Sequence, residues 1–220
     1  MALSLPFALA QAADIVPTRS VTANGMTVLF LEQHFLPTVE IHALVKVGSA
    51  QDPPDKAGLA NLTASLLDEG TLTRTSRQIA EQIDFVGGSL EAHAAEDFTT
   101  ASTRVLKKDA DLGFALLADM LQHPAFHKQE FERVRTQILG EIVSDDDDPG
   151  NVAMKAFHQL IFHGHPYSWP AHGTEETLNK ITVADIQQFH AREYLPNQTI
   201  LVIVGDLTQD QAAALVQTHF

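Results

Sequence analysis

An α+β domain, with helices packed on an antiparallel sheet, is the fold class this chain predicts. Three observations carry it. Short β-branched segments cluster in residues 14–47 and 89–105, and Asn24-Gly25 joins the first two; Asn-Gly between alternating runs is the strongest short-range hairpin signal. Segments of helical period dominate residues 107–194. Strands and helices are grouped rather than strictly alternating, which favours α+β over a doubly wound parallel sheet.

The elements follow in order. Residues 14–22 and 26–32 are the first two expected strands, on either side of Ala23-Asn24-Gly25. Residues 38–47 alternate and are β-branched, a third strand. Residues 48–56 contain Pro53-Pro54 and read as a loop. In 57–69, Leu59, Leu62, Leu66 and Leu67 recur at helical spacing, and Gly70 ends the run. Ser76 is placed to cap a second helix, with Ile79, Ile83 and Val86 on one face and Gly87-Gly88 at its end. Residues 89–95 and 97–105 read as a strand pair. Helices are expected over 107–122, which carries Leu112, Leu116, Leu117 and Met120, and over 127–144. The aspartate run 145–148 then meets Pro149, and the residue before a proline is pushed out of the helical region. Residues 151–162 form another expected helix. Thr182, with Asp185 three residues on, opens a helix over 182–194 in a capping-box-like pattern. A strand over 199–204, a turn at Gly205-Asp206 and a helix over 208–220 complete the chain. Neither a Pro/Ser-rich linker nor an internal repeat interrupts it, so residues 14–220 read as one domain.

Composition narrows the function classes. The 28 acidic and 14 basic residues leave a formal charge of −14. Nucleic acid is therefore not an expected partner, because phosphate contacts need a basic surface. The absence of cysteine excludes disulfides, thiolate metal sites and a cysteine nucleophile. No apolar stretch approaches the roughly 18 residues of a membrane span. The N-terminal MALSLPFALAQAADIV has an apolar run followed by small residues suited to cleavage near Ala10 or Ala12. Residues 1–13 thus resemble the remnant of a signal peptide, the competing reading being an apolar tail, and the expected location is periplasmic or secreted.

The chemistry turns on GLANLTASLLDEGT, residues 58–71. In the inverted zinc motif H-x-x-E-H, two His one turn apart on a helix bind the metal and a Glu between them is the general base. Those slots fall on Asn61, Ala64 and Ser65. A neutral amide, a methyl group and a hydroxyl cannot do that work. Further along are IDFVGGSLEAHAAEDFTTAS, LGEIVSDDDDP, FHGHPYSWPAHGT and TILVIVGDLT. In this order and spacing, the five segments resemble the pitrilysin, insulinase and mitochondrial processing peptidase family over residues 15–220.

The resemblance implies a processing-peptidase-like (LuxS/metallohydrolase-like) domain, the N-terminal half of a longer two-domain chain. It implies zinc in active relatives and places Glu141 at the third zinc-ligand position. Because Asn61, Ala64 and Ser65 depart from the motif, no catalytic residue, metal or other cofactor is expected here. The implied function is that of a non-catalytic homologue that supplies chamber wall, peptide contacts and dimer surface to a zinc-bearing partner, either a homologous subunit or a second domain of the same chain. Two alternatives stand: an active zinc metalloendopeptidase with relocated ligands, such as His158 or His163 with Glu141, and a structural subunit unrelated to proteolysis.

Other candidates carry less. One carboxylate without His partners makes no tetrahedral zinc site, so Glu141 reads as a solvated or hydrogen-bonded helix carboxylate, with a bond to Asn61 or Ser65 as the vestigial role. His158, His163, His165 and His172 lie within fifteen positions but read as loop-packing or surface histidines, and His165 suits a structural role in the His-Pro-Tyr loop. Pro124 breaks the regular helix that would align His123 with His127. The run 145–148 lacks the alternating ligands, central Gly and distal Glu of a calcium loop. Ser65 has no base near it in sequence to make it a nucleophile.

Overall fold

The computed structural model describes residues 16–220; the expected signal-peptide remnant at 1–13 lies outside them. Six strands form one sheet: β1 (Thr18–Val21), β2 (Thr27–Glu32), β3 (Thr38–Val45), β4 (Ser89–Ala94), β5 (Thr99–Leu106) and β6 (Thr199–Gly205). Their order is β1-β2-β6-β3-β5-β4. The β1–β2 hairpin turns at Asn24-Gly25, with Gly25 at φ 90°, where a glycine has no Cβ to clash.

The α+β class is as expected, with one refinement. The sheet is mixed, because β6 pairs parallel with β2 and antiparallel with β3. Since β2 and β3 run in opposite directions and stand apart, any strand inserted between them must be parallel to one of them. β6 arrives there after the helices, and it alternates fully buried with half-buried residues.

Helices cover one face of this sheet: α1 (Leu59–Ala64), α2 (Ser76–Phe85), α3 (Ala110–Gln122), α4 (Lys128–Asp146), α5 (Pro149–Ile161), α6 (Glu175–Leu178), α7 (Val183–Glu193) and α8 (Gln209–His219). The period-2 alternation of the strands puts Val39, Ile41, Ala43, Val45, Ala101, Leu201 and Ile203 into one core with Leu62, Leu67, Phe114, Met120, Ile186 and Phe189 of the helical layer. The caps follow sequence closely. Thr182 and Asp185 form the expected capping box of α7. At α2 the cap is Thr75 rather than Ser76, in a capping box with Gln78.

At the end of the sheet, His34 lies between two carboxylates. Its Nε2 is 2.7 Å from Glu32 and its Nδ1 2.5 Å from Asp206, which Lys107 also reaches at 2.9 Å. Hydrogen bonds to Asp206 and then Glu32 raise the imidazole above its ordinary value of 6.5. A raised folded-state value gives stability that is complete below the unfolded value and is lost as pH rises through the folded one. The Tm advantage of the wild type over His34→Gln should therefore shrink as pH rises past neutrality, and the His34 NMR titration midpoint should lie above 6.5. A midpoint at or below that value would mean that Glu32 and Asp206 do not hold the imidazole protonated.

Candidate functional site

The segment carrying Asn61, Ala64 and Ser65 is fixed from its N-terminal side. Gly58 caps α1 at φ 96°, and a Cβ there would meet the carbonyl oxygen of His172 at 2.6 Å. Only glycine fits that turn. Asp52, almost wholly buried, reaches across from the preceding loop and accepts hydrogen bonds from the backbone N–H of Gly58 (2.8 Å) and Ala60 (2.9 Å). These donors open the helix and have no intrahelical partner. Burial pushes the Asp52 carboxyl up to about 7, while the N–H groups of Ala60, Gly58 and Leu59 pull the other way.

α1 is shorter than the expected 57–69. Ser65 still closes a full turn, its N–H donating to Asn61 O at 2.9 Å, but Leu66 and Leu67 then bond three residues back, to Thr63 and Ala64. This tightens the last turn without reversing it. Asn61 and Ser65 therefore lie one turn apart on one face, and both are half-buried. Ala64 is fully buried. The segment packs against α4, α7 and the edge strand β4.

Glu141 stands on α4, exposed, and accepts a hydrogen bond from Gln137 Nε2 at 3.1 Å, one turn back on its own helix. Among the described residues it makes no hydrogen bond to Asn61 or Ser65, so its contact is the helix-carboxylate one. The donor set does not fit zinc: two neutral oxygens, a buried methyl group and a carboxylate held elsewhere. Nor does the structure gather His158, His163 and Glu141. Among the described residues no group of three or more His, Asp or Glu side chains is placed to hold a metal ion.

The remaining candidates take structural positions. His165 Nδ1 accepts from the Tyr167 N–H at 3.2 Å and caps the turn Pro166–Ser168. The loop around His172 presses its backbone against Gly58, and Gly173 leaves no room for a Cβ beside Ala57 O. The run 145–148 straddles two helices. Asp148 is the N-cap of α5, accepting from Gly150 N (2.7 Å) and Asn151 N (3.0 Å). Asp145 holds the Asn151 amide, and Asp146 pairs with Lys155. Acids at the start of a helix are favourable, which accounts for Asp148; Asp145 and Asp146 close α4, where the Asn151 amide and Lys155 meet them.

Besides Asp52, two groups escaped sequence reasoning. Asp119 binds Thr71, Thr73 and Arg74 together, tying the chain after α1 to α3. Burial pushes its carboxyl up, but these hydrogen bonds outweigh it and hold the group below the ordinary range. Asp68, just beyond the α1 turn, is half-buried. Burial, then neighbouring Glu69, push it up to about 6 against the pull of its own backbone N–H, His93 and Arg133. Asp68 follows the last motif slot by three residues and Asp119 stands on α3, and no periodicity distinguishes either from a solvated acid.

Residues 27–175 match the model of the insulinase family, peptidase family M16, and residues 180–220 match that of the peptidase M16 inactive domain. An uncharacterized zinc protease of Mycobacterium tuberculosis is 32% identical over 212 residues, 95% of this chain and 48% of its own. One from Rickettsia bellii is 29% identical over 86% of this chain and 46% of its own. The crystal structure of a peptidase M16 inactive domain from Pseudomonas fluorescens superposes with a TM-score of 0.88 at 27% identity, over 92% of this chain and 49% of that one. The periplasmic protease PqqL from Escherichia coli superposes with a TM-score of 0.85 at 20% identity, over 96% of this chain and 24% of that one; this last likeness bears on fold alone. The chain spans about half the length of the curated relatives it matches.

Proposed function

The chain belongs to the insulinase (M16) family of peptidases, and from that premise we propose that it is a non-catalytic peptide-binding member, working beside a zinc-bearing homologous domain or subunit. The observation that carries this reading is the donor set on α1. Asn61, Ala64 and Ser65 occupy the frame in which a metal and a base would act, and they supply neither. Glu141 belongs to the same reading as the vestigial third position.

The peptide contact is assigned to β4. Among the described residues this strand ends the sheet, pairing with β5 on one side and with no strand on the other. It lies against α1. An open edge offers backbone N–H and C=O groups to an extended peptide, with alternate side chains giving selectivity. Partnership draws support from α5, which buries none of its side chains and leaves Met154, Phe157, Leu160 and Ile161 exposed along one stripe. An apolar helical face of this kind is a docking surface more often than a solvent one. Among the described residues no helix is long and apolar enough to cross a membrane, and the periplasmic or secreted location remains part of this proposal.

Two measurements test it. The untagged protein after dialysis should carry no stoichiometric zinc; about one zinc per chain would sink the non-catalytic reading. A fluorescent extended peptide should bind, and alternate N-methylation of its backbone should weaken binding by about tenfold or more, since edge pairing uses peptide N–H groups. Equal binding of the methylated peptide would remove β4 as the site. Absence of any peptide binding would favour a purely structural subunit.

A further inference from the structure

Resting on the docking role given to α5 above, we propose that this face is an interface between two copies of the chain, in which the apolar ridge of α5 in each copy enters a socket between α4 and α5 of the other. The zinc-bearing domain of that reading then belongs beside α1 and β4, where the peptide is placed. The helix is turned inside out. Of Pro149–Ile161 only Lys155 and His158 are half-buried, and the rest are exposed. Lys155 pairs with Asp146 at 2.9 Å, and the Asn151 amide donates to Asp145 at 3.1 Å. Polar groups thus tie α5 to the end of α4. Met154, Phe157, Leu160 and Ile161 are each more than half exposed and fall within about 120° of one helical face. An amphipathic helix normally buries that face, but here the polar clamp keeps it in solvent.

The socket lies beside the ridge. A gap of about 390 Å³ separates α4 from α5, with Leu139, Ile142 and Val143 on its α4 wall and Gln159 on its α5 wall. Leu139 and Ile142 pack on the core but stay half-buried, and Val143 is 63% exposed. One surface therefore carries both apolar side chains that project into solvent and an apolar gap of a size to receive them. A two-fold axis makes that combination self-complementary, since each copy then gives a ridge and takes one. Four large side chains from each copy, with the walls that receive them, amount to on the order of 1,000 Å², the size at which an interface becomes specific. Charge favours the same occupant. The chain carries −14 overall, yet Pro149–Ile161 has one lysine and no acid. Two acidic molecules meet with least repulsion where neither presents a free carboxylate. The two acids at the gap are engaged: Asp146 pairs with Lys155, and Glu175 opens α6, where the helix N-terminus favours it.

The test is sedimentation equilibrium of the 220-residue chain. A monomer–dimer equilibrium is expected, with a dissociation constant on the order of 10 μM. It should tighten about threefold from low to high salt, because screening relieves like-charge repulsion while apolar contact persists. Leu160→Ser, at a position 78% exposed, should weaken the dimer about tenfold or more and shift Tm by no more than about 2 °C. Val143→Ser, on the socket wall, should weaken it likewise. Leu72→Ser, in the loop after α1 and 74% exposed, controls for loss of an exposed apolar side chain and should leave the dimer unchanged. Because the chain has no cysteine, Leu160→Cys and Val143→Cys on separate chains can be mixed with glutathione disulfide, and a cross-link between the two chains is expected. The proposal is overturned if the chain stays monomeric, if Leu160→Ser and Val143→Ser leave the dimer intact, if Leu72→Ser weakens it equally, or if salt dissociates it. A monomeric chain would bring down this pairing alone, since zinc content and peptide binding decide the non-catalytic reading independently.

Discussion

Replacing Asn61 and Ser65 together with histidine should create a zinc site where the parent has none, with a dissociation constant on the order of micromolar or below. The expectation rests on geometry. Ser65 N–H donates to Asn61 O at 2.9 Å, so the two side chains leave the helix one turn apart on one face, the spacing that lets two imidazoles share a metal. Both positions are half-buried, which leaves room to reach the surface of the segment. The third ligand would be Glu141, on a helix that packs against α1; it must release Gln137 to turn inward. Adding Glu141→Ala to the double variant should weaken zinc by at least about tenfold, since two histidines alone hold the metal poorly. Adding Ala64→Glu, to complete the motif, should lower Tm, because that side chain position is fully buried and an unpaired carboxyl there costs on the order of 3 kcal/mol. Competition with a chromophoric chelator measures the first two effects and thermal unfolding the third. If the folded double variant binds zinc no better than the parent, or if Glu141 makes no difference, the placement of these residues in a zinc frame is wrong. Peptidase activity is not expected from any of these variants, because catalysis also needs an oriented substrate and supporting groups around the ligands.

The parts of this fold that were legible in the sequence are those governed by local rules. Asn24-Gly25 fixed the first hairpin, period-2 alternation fixed β3, and Thr182 with Asp185 fixed the start of α7. What escaped was set by long-range placement. No local signal says that β6 slots between β2 and β3, since strand order depends on how the helices return the chain to the sheet. The four-residue α6 is too short to show a period. The early end of α1 was hidden because Leu66 and Leu67 keep helical spacing while their hydrogen bonds shift to three residues back. The candidate site divides the same way. Asn61, Ala64, Ser65 and Glu141 could be found because a motif has fixed offsets. Asp52, Asp68 and Asp119 could not, because each is one acid among 28 acidic residues until the fold brings two backbone donors, partial burial or three donors to it. Asp148 shows the ambiguity most directly: in sequence it closes an acidic run after one expected helix, and the structure makes it the N-cap of the next.

Asp52→Ala should cost about 3 kcal/mol and lower Tm by about 8 °C, the largest loss expected from any single loop residue. Its carboxylate is the acceptor for two backbone N–H groups at the start of α1, those of Gly58 and Ala60, and the site is too deeply buried for water to replace it. Truncation leaves both donors unpaired, and each buried orphan costs about 1–3 kcal/mol. Neighbouring Asp55 is exposed, so Asp55→Ala should change stability by less than about 0.5 kcal/mol. The effect should also depend on pH in a definite direction. Burial pushes Asp52 from its ordinary 3.8 to about 7. An acid raised on folding contributes stability that is complete below its unfolded value and declines as pH rises through its folded value. The deficit of Asp52→Ala relative to the wild type should therefore be largest near pH 4 and should shrink by pH 8. The opposite trend, a deficit growing with pH, would mean that the two backbone donors outweigh burial and that the ionised carboxylate is the better cap. Either result identifies the force that fixes the N-terminus of α1, and with it the turn that carries Asn61 and Ser65.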